Sequence, residues 1–172
     1  MIDRSVTVAD REQAGPPRCV LGVSAGSAEY EAVSLHFEVV FTCFLRDDTP
    51  DAVLDALRWH LGFISERPSG LGEEEHAYPL LEPDPDGPLP GGDCASLRRQ
   101  SRGFGADGEI HAWGLFSRNY WLDDDLGELV VILRLLAPHV EETGFGGYFR
   151  EDYAAEPTVF TFQDGTYGSL KL

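Results

Sequence analysis

Lysine is almost missing from this chain. Of 172 residues only Lys171 is a lysine, and the other twelve bases are arginine. Bases of either kind are few: 13 Lys and Arg stand against 30 Asp and Glu, a formal net charge of −17. A field of that sign repels nucleic acid and anionic lipid surfaces and speeds encounter with basic proteins. Nucleic acid and membrane are therefore not expected as partners, and a basic protein is. The plainer reading, that acidity keeps the chain soluble, stands beside it. The arginine bias fits a GC-rich bacterial genome and carries no mechanism.

Cysteine is scarce as well. Cys19, Cys43 and Cys94 are odd in number and far apart, with no CxxC pair. That spacing excludes a zinc ribbon and a disulfide framework, and it fits a reducing, cytoplasmic setting. Long apolar runs are missing too. The longest aliphatic run, Leu129 to Leu133, stops at Arg134, far short of the ~20 residues needed to span a bilayer. Residues 1–18 hold no apolar stretch that would serve as a signal peptide. There is no GxxxxGK[ST], no completed dinucleotide fingerprint at Phe104-Gly105 and no GxSxG. Nothing in the sequence asks for a cofactor or a metal.

What is present is a clear strand followed by a clear helix. In Leu35 to Leu45 every odd position is apolar: Leu35, Phe37, Val39, Phe41, Cys43 and Leu45. A period of two with one apolar face marks a strand lying on a core. The strand is expected over about Ala32 to Leu45, with Cys43 a small core residue. Thr49-Pro50-Asp51 then reads as a helix start, with threonine as cap, proline at the first position and aspartate at the positive dipole end. Val53, Leu54, Leu57 and Leu61 make its buried stripe, and Gly62 supplies a left-handed stop.

Regular structure is hard to find between 65 and 108. A weak strand is expected at His76 to Leu81, and a short helix at Cys94 to Arg102. Between them, Leu81 to Asp93 holds four prolines and three glycines, which reads as a loop. A connection this long is usually functional or disordered. A strand returns at Ile110 to Phe116. Asp123, Asp124 and Asp125 head a second helix with the stripe Leu126, Leu129, Val130, Leu133, Leu136 and Ala137, ended by Pro138. Phe145 to Arg150 is a further strand. Thr158–Gln163 and Thr166–Leu170 flank Asp164-Gly165, a hairpin signal.

The expected organisation is a flexible lead-in over 1–18 and a single α+β domain over 19–172, with the Pro/Gly-rich insertion at about 65–108. The expected fold is one mainly antiparallel sheet with two main helices packed on one face, ferredoxin-like with an added C-terminal hairpin.

Candidate sites each have an ordinary structural reading. His36 and Glu38 share the strand face opposite the core set, as an acid–base pair or as plain wet-face residues. Glu73-Glu74-Glu75-His76 and Asp123-Asp124-Asp125 read better as hydrated acids and helix-start acids than as metal ligands. His111, Trp113, Arg118, Tyr120 and Trp121 form the richest neighbourhood, since aromatics and arginine dominate binding sites. Arg98, Arg99 and Arg102 offer an anion clamp or simple charge balance. Gly144-Phe145-Gly146-Gly147 follows a helix instead of preceding one, so a close-packed strand is expected there and not a phosphate loop. Two functions result. The first is a non-catalytic inhibitor- or immunity-type module that binds a basic protein through Trp113, Arg118, Tyr120, Trp121, Arg98 and Arg99. The second is a small enzyme or anionic-ligand binder with a cleft under the 65–108 segment, using His111 with Glu38 or Asp123 and an arginine clamp.

Overall fold

The structure, a computed structural model, describes residues 35–171. The lead-in at 1–18 and the short strand expected at Cys19–Val23 lie outside the described residues. In chain order the elements are β1 (His36–Arg46), α1 (Asp51–His60), β2 (Cys94–Gly105), β3 (Gly108–Leu122), a 3-10 turn (Asp123–Glu128), α2 (Leu129–Leu136), a second 3-10 turn (Ala137–His139), β4 (Gly144–Glu151), β5 (Thr158–Gln163) and β6 (Thr166–Lys171). The six strands form one sheet, ordered β2-β3-β1-β4-β5-β6, and each neighbouring pair is antiparallel. The class is α+β. Among the described residues no helix is long and apolar enough to cross a membrane.

The register explains the alternation in β1. Phe37, Val39, Phe41, Cys43 and Leu45 stand opposite Trp121, Asn119, Ser117, Leu115 and Trp113 of β3, so the odd positions of both strands share one face. Val39, Phe41 and Leu45 join Leu115, Trp121, Phe160 and Phe162 in one buried cluster with Leu54, Leu57 and Leu61, and with Leu129, Ile132, Leu133 and Leu136. Cys43 packs against this cluster, and burial pushes its thiol up to about 12.

Helix α1 starts differently from its sequence signature. Pro50 occupies the N-cap and makes no side-chain cap. The Thr49 hydroxyl donates instead to the Arg46 carbonyl at 2.6 Å, because the chain still turns out of β1 at Thr49. Gly62 ends the helix with φ 72°, and a Cβ there would lie 2.7 Å from the Glu82 side chain. This glycine serves both as stop and as the floor on which residue 82 rests.

The expected helix at Cys94–Arg102 is a strand. Its residues pair with β3 from Cys94↔Arg118 onward, with a bulge between Ser101 and Gly103. β2 is an edge strand, and edge strands carry charged and polar side chains that blur the period of two. The irregular stretch therefore ends at Asp93 and not near 108. The strand expected at His76–Leu81 is also absent from the structure. Its backbone is held by side chains, as described below.

Asp164 and Gly165 both take positive φ, 50° and 76°, as a two-residue hairpin turn requires. Gly147, on β4 beside a bulge, has φ 143°, and a Cβ there would fall 1.9 Å from the Val40 carbonyl oxygen. The glycine-rich run is a close-packed strand, as its position after a helix implies.

Candidate functional site

The residues of greatest chemical interest gather where β3 leaves the sheet beneath the 65–93 segment. Four consecutive β3 residues reach that segment. Arg118 Nη1 donates to the Pro90 carbonyl at 2.7 Å. Asn119 Nδ2 donates to the Glu82 carbonyl at 3.2 Å. The Tyr120 N–H donates to Asp93 Oδ2 at 3.3 Å, and Trp121 Nε1 donates to the Leu80 carbonyl at 3.0 Å. Asp93 directly precedes β2, so its carboxylate continues the ladder where the strand has stopped. A proline-rich segment has spare carbonyls and few N–H groups, and this row of donors supplies what it lacks.

A second anchor comes from α1. The Leu80 N–H donates to His60 Nδ1 at 3.3 Å, which places the His60 proton on Nε2. That nitrogen lies 2.9 Å from His76 Nδ1, so His60 donates and His76 accepts. The Leu81 N–H adds a bond to the His60 carbonyl at 2.9 Å. Burial, with the nearby His76, lowers the His60 pKa to about 3. Burial also lowers His76, against the opposing pull of Glu75 and Glu128. The pair is neutral throughout the physiological range.

Between this segment and the sheet lies a recess of about 150 Å³, with Tyr78, Glu82, Asp84, Asp93, Asn119, Trp121 and Asp125 in its wall. Tyr78 Oη donates to Asp125 Oδ1 at 2.7 Å. That bond, with burial, pushes the phenol up to about 12, so Tyr78 stays protonated. Asn119 is 2% exposed. Asn119 Oδ1 and Asp93 Oδ1 are buried with no hydrogen-bond partner among the described residues. The recess wall is rich in acceptors, two of which have no donor among the described residues.

On the opposite face of the sheet Glu38 is 5% exposed. Its carboxylate is gripped by Arg118 Nε and Arg150 Nη2, each at 2.7 Å. Burial alone would raise the Glu38 carboxyl; the two guanidinium groups outweigh it and hold it below the usual range. His36 stacks on Tyr120 with ring centroids 4.9 Å apart.

The structure thus brings Glu38 and Arg118 together and leaves His111 elsewhere. His111 sits near the β2–β3 turn with Glu109 at 3.6 Å. It stands nine residues along β3 from Tyr120, the partner of Glu38, or roughly 30 Å at strand rise. Asp123 is exposed at the start of the 3-10 turn, and its Oδ1 accepts the Asp124 N–H. Arg98 and Arg99 are strand neighbours and project to opposite faces. Arg99 is engaged by both oxygens of Asp47, while Arg98 flanks a recess with Ser96, Gln100 and Phe116. Arg102 covers the Phe44 ring at 3.7 Å and pairs with Glu142. Trp113 is half-buried under Arg58. Trp121 is interior, with its indole N–H spent on Leu80, so it is not available at the surface.

Asn119, Asp93 and the His60–His76 pair are not among the residues that the sequence pattern singles out. A signal existed for the first: asparagine is depleted in strands, and one inside an aromatic strand asks for a partner. No family model, no curated protein and no solved structure matches the chain.

Proposed function

We propose that this chain is a non-catalytic protein-binding module of the inhibitor or immunity type, and that it docks a basic partner on the end formed by residues 73–93 and 123–128. One observation carries the reading: seven of the nine described arginines are in ion pairs within the chain, while most acids of this end are in none. Arg46, Arg58, Arg67, Arg99, Arg102, Arg118 and Arg150 are all in ion pairs. Glu74, Glu75, Glu82, Asp84, Asp86 and Asp124 are exposed or half-exposed and take part in no ion pair among the described residues. Such a surface steers a positive partner and fixes its orientation. The aromatic contact is assigned to Tyr78, which is exposed on that end, in place of Trp121.

Binding of an arginine nonapeptide at increasing salt tests the reading. Affinity falls steeply with salt for the native chain, and the combined Glu82→Gln, Asp84→Asn, Asp86→Asn variant loses most of it. Salt-independent binding, or an unaffected variant, refutes it.

The alternative, an anionic-ligand binder, draws support from Arg98 beside its recess of about 260 Å³ with Ser96 and Gln100. Phosphate titration that shifts the Arg98 and Gln100 side-chain resonances would favour it. The order β2-β3-β1-β4 with β5 and β6 appended supports a ferredoxin-like core with both helices on one face and an added hairpin. The free thiols Cys43 and Cys94 support a reducing, cytoplasmic setting.

A further inference from the structure

We propose that the acidic recess beneath the 65–93 segment receives the guanidinium group of an arginine presented by the partner. The proposal rests on the docking reading above and names what the centre of that surface recognises. The recess, about 150 Å³, is well below the ~300–1,000 Å³ typical of a drug-sized ligand site. It has room for one side-chain head group.

The polar chemistry of the wall selects that group. Asn119 is almost wholly buried; its Nδ2 is used on Glu82, and its Oδ1 has no partner among the described residues. Asp93 is in the same condition: Oδ2 accepts from Tyr120 and Asp84 N–H groups, while Oδ1 is buried and unpartnered. Buried acceptors left without donors are costly, so such groups call for an occupant that donates. The carboxylates of Glu82, Asp84 and Asp125 around them make that occupant a cation.

A metal ion is the wrong cation. Among the described residues no three His, Cys, Asp or Glu side chains are close enough to hold one. Separated neutral and charged acceptors suit a planar group with several N–H donors in a fixed fork, and a guanidinium has five. An ammonium is a compact point charge that satisfies fewer of them. Tyr78, exposed on the wall of the same recess, favours a flat, weakly hydrated cation for the same reason.

The full chain is titrated with an arginine nonapeptide and a lysine nonapeptide of equal charge, and separately with ethylguanidinium chloride. Calorimetry and nitrogen-15 amide shifts provide the readouts. The arginine peptide binds about tenfold more tightly, the expected worth of one extra charge-assisted hydrogen bond. Ethylguanidinium shifts the Asn119 side-chain amide and the Tyr120 backbone amide saturably, and Asp93→Asn abolishes the arginine preference. Equal binding of both peptides with an unmoved Asn119 overturns the recess proposal and leaves the docking reading standing. If neither peptide shows salt-dependent binding, the docking reading falls and takes this one with it. Should Asp93→Asn fail to fold, the wild-type peptide ratio and the Asn119 shift decide between the same two results.

Discussion

Residues 36–61 and residues 65–93 are neighbours in the chain and differ in where their backbone hydrogen bonds go. In the first stretch, the β1 ladders and the turns of α1 satisfy the backbone from within regular structure. Its side chains are left free to build the core. In the second stretch the carbonyls of Leu80, Glu82 and Pro90 are satisfied by Trp121, Asn119 and Arg118. Side chains of β3 there do the work of a neighbouring strand. The contrast teaches that a proline-rich run without periodicity can be fixed in place when another element supplies the donors that it cannot supply for itself.

The contrast is sharpest under mutation. Phe41→Ala, at a site with 0% exposure, should cost about 3–5 kcal/mol and weaken the whole domain, as urea denaturation will show. Glu38→Gln comes next, at about 2–3 kcal/mol, because it leaves Arg118 and Arg150 without their carboxylate. Arg118 also holds Pro90, so this variant should loosen the end of the 65–93 segment, read as faster proteolysis near Pro90. An Arg118→Lys variant that left that segment untouched would break the comparison.

Acid provides the third test, and its sign follows from the histidine pair. His60 and His76 are held neutral with lowered pKa values. Their contribution is complete above the unfolded value of ~6.5 and is lost as pH falls toward the folded values, because the unfolded chain takes up the protons first. Between pH 7 and pH 5 stability should drop by about 2 kcal/mol, and His76→Gln should reduce that drop. Glu38 acts in a lower window. Its carboxyl is held below the usual carboxylate range by Arg118 and Arg150, so its contribution persists at pH 5 and disappears only on further acidification. Last comes Trp121→Phe, which removes the N–H to Leu80 and part of a buried bicyclic ring, at about 2 kcal/mol. Its signature should be faster amide exchange in the segment, with little change in α1.

The same contrast explains what was legible in the sequence. The odd positions of β1, the stripe of α1 and the Asp164-Gly165 turn are local signals, and each appears at its expected place. The helix expected from Asp123 differs: Asp123–Glu128 is a 3-10 turn, α2 begins at Leu129, and Ile132 takes the core place expected of Val130. β2 carries no strand signal because neither of its faces is fully buried, so no apolar side enforces alternation. The run Arg118 to Trp121 was recognised as chemically rich, yet its target was this chain's own segment. No local pattern records that a donor in one stretch answers a carbonyl some thirty residues away. His60 and His76 were missed for the same reason, being sixteen positions apart and paired only through the fold.

The most direct test is hydrogen exchange at the Leu81 and Leu80 amides at pH 7. Leu81 donates to the His60 carbonyl and Leu80 to the His60 ring. If the segment is a fixed wall of the recess, both amides exchange at least about a hundredfold more slowly than in an unstructured peptide, approaching the amides of α1. Exchange at the free-peptide rate, with α1 still protected, would contradict the account.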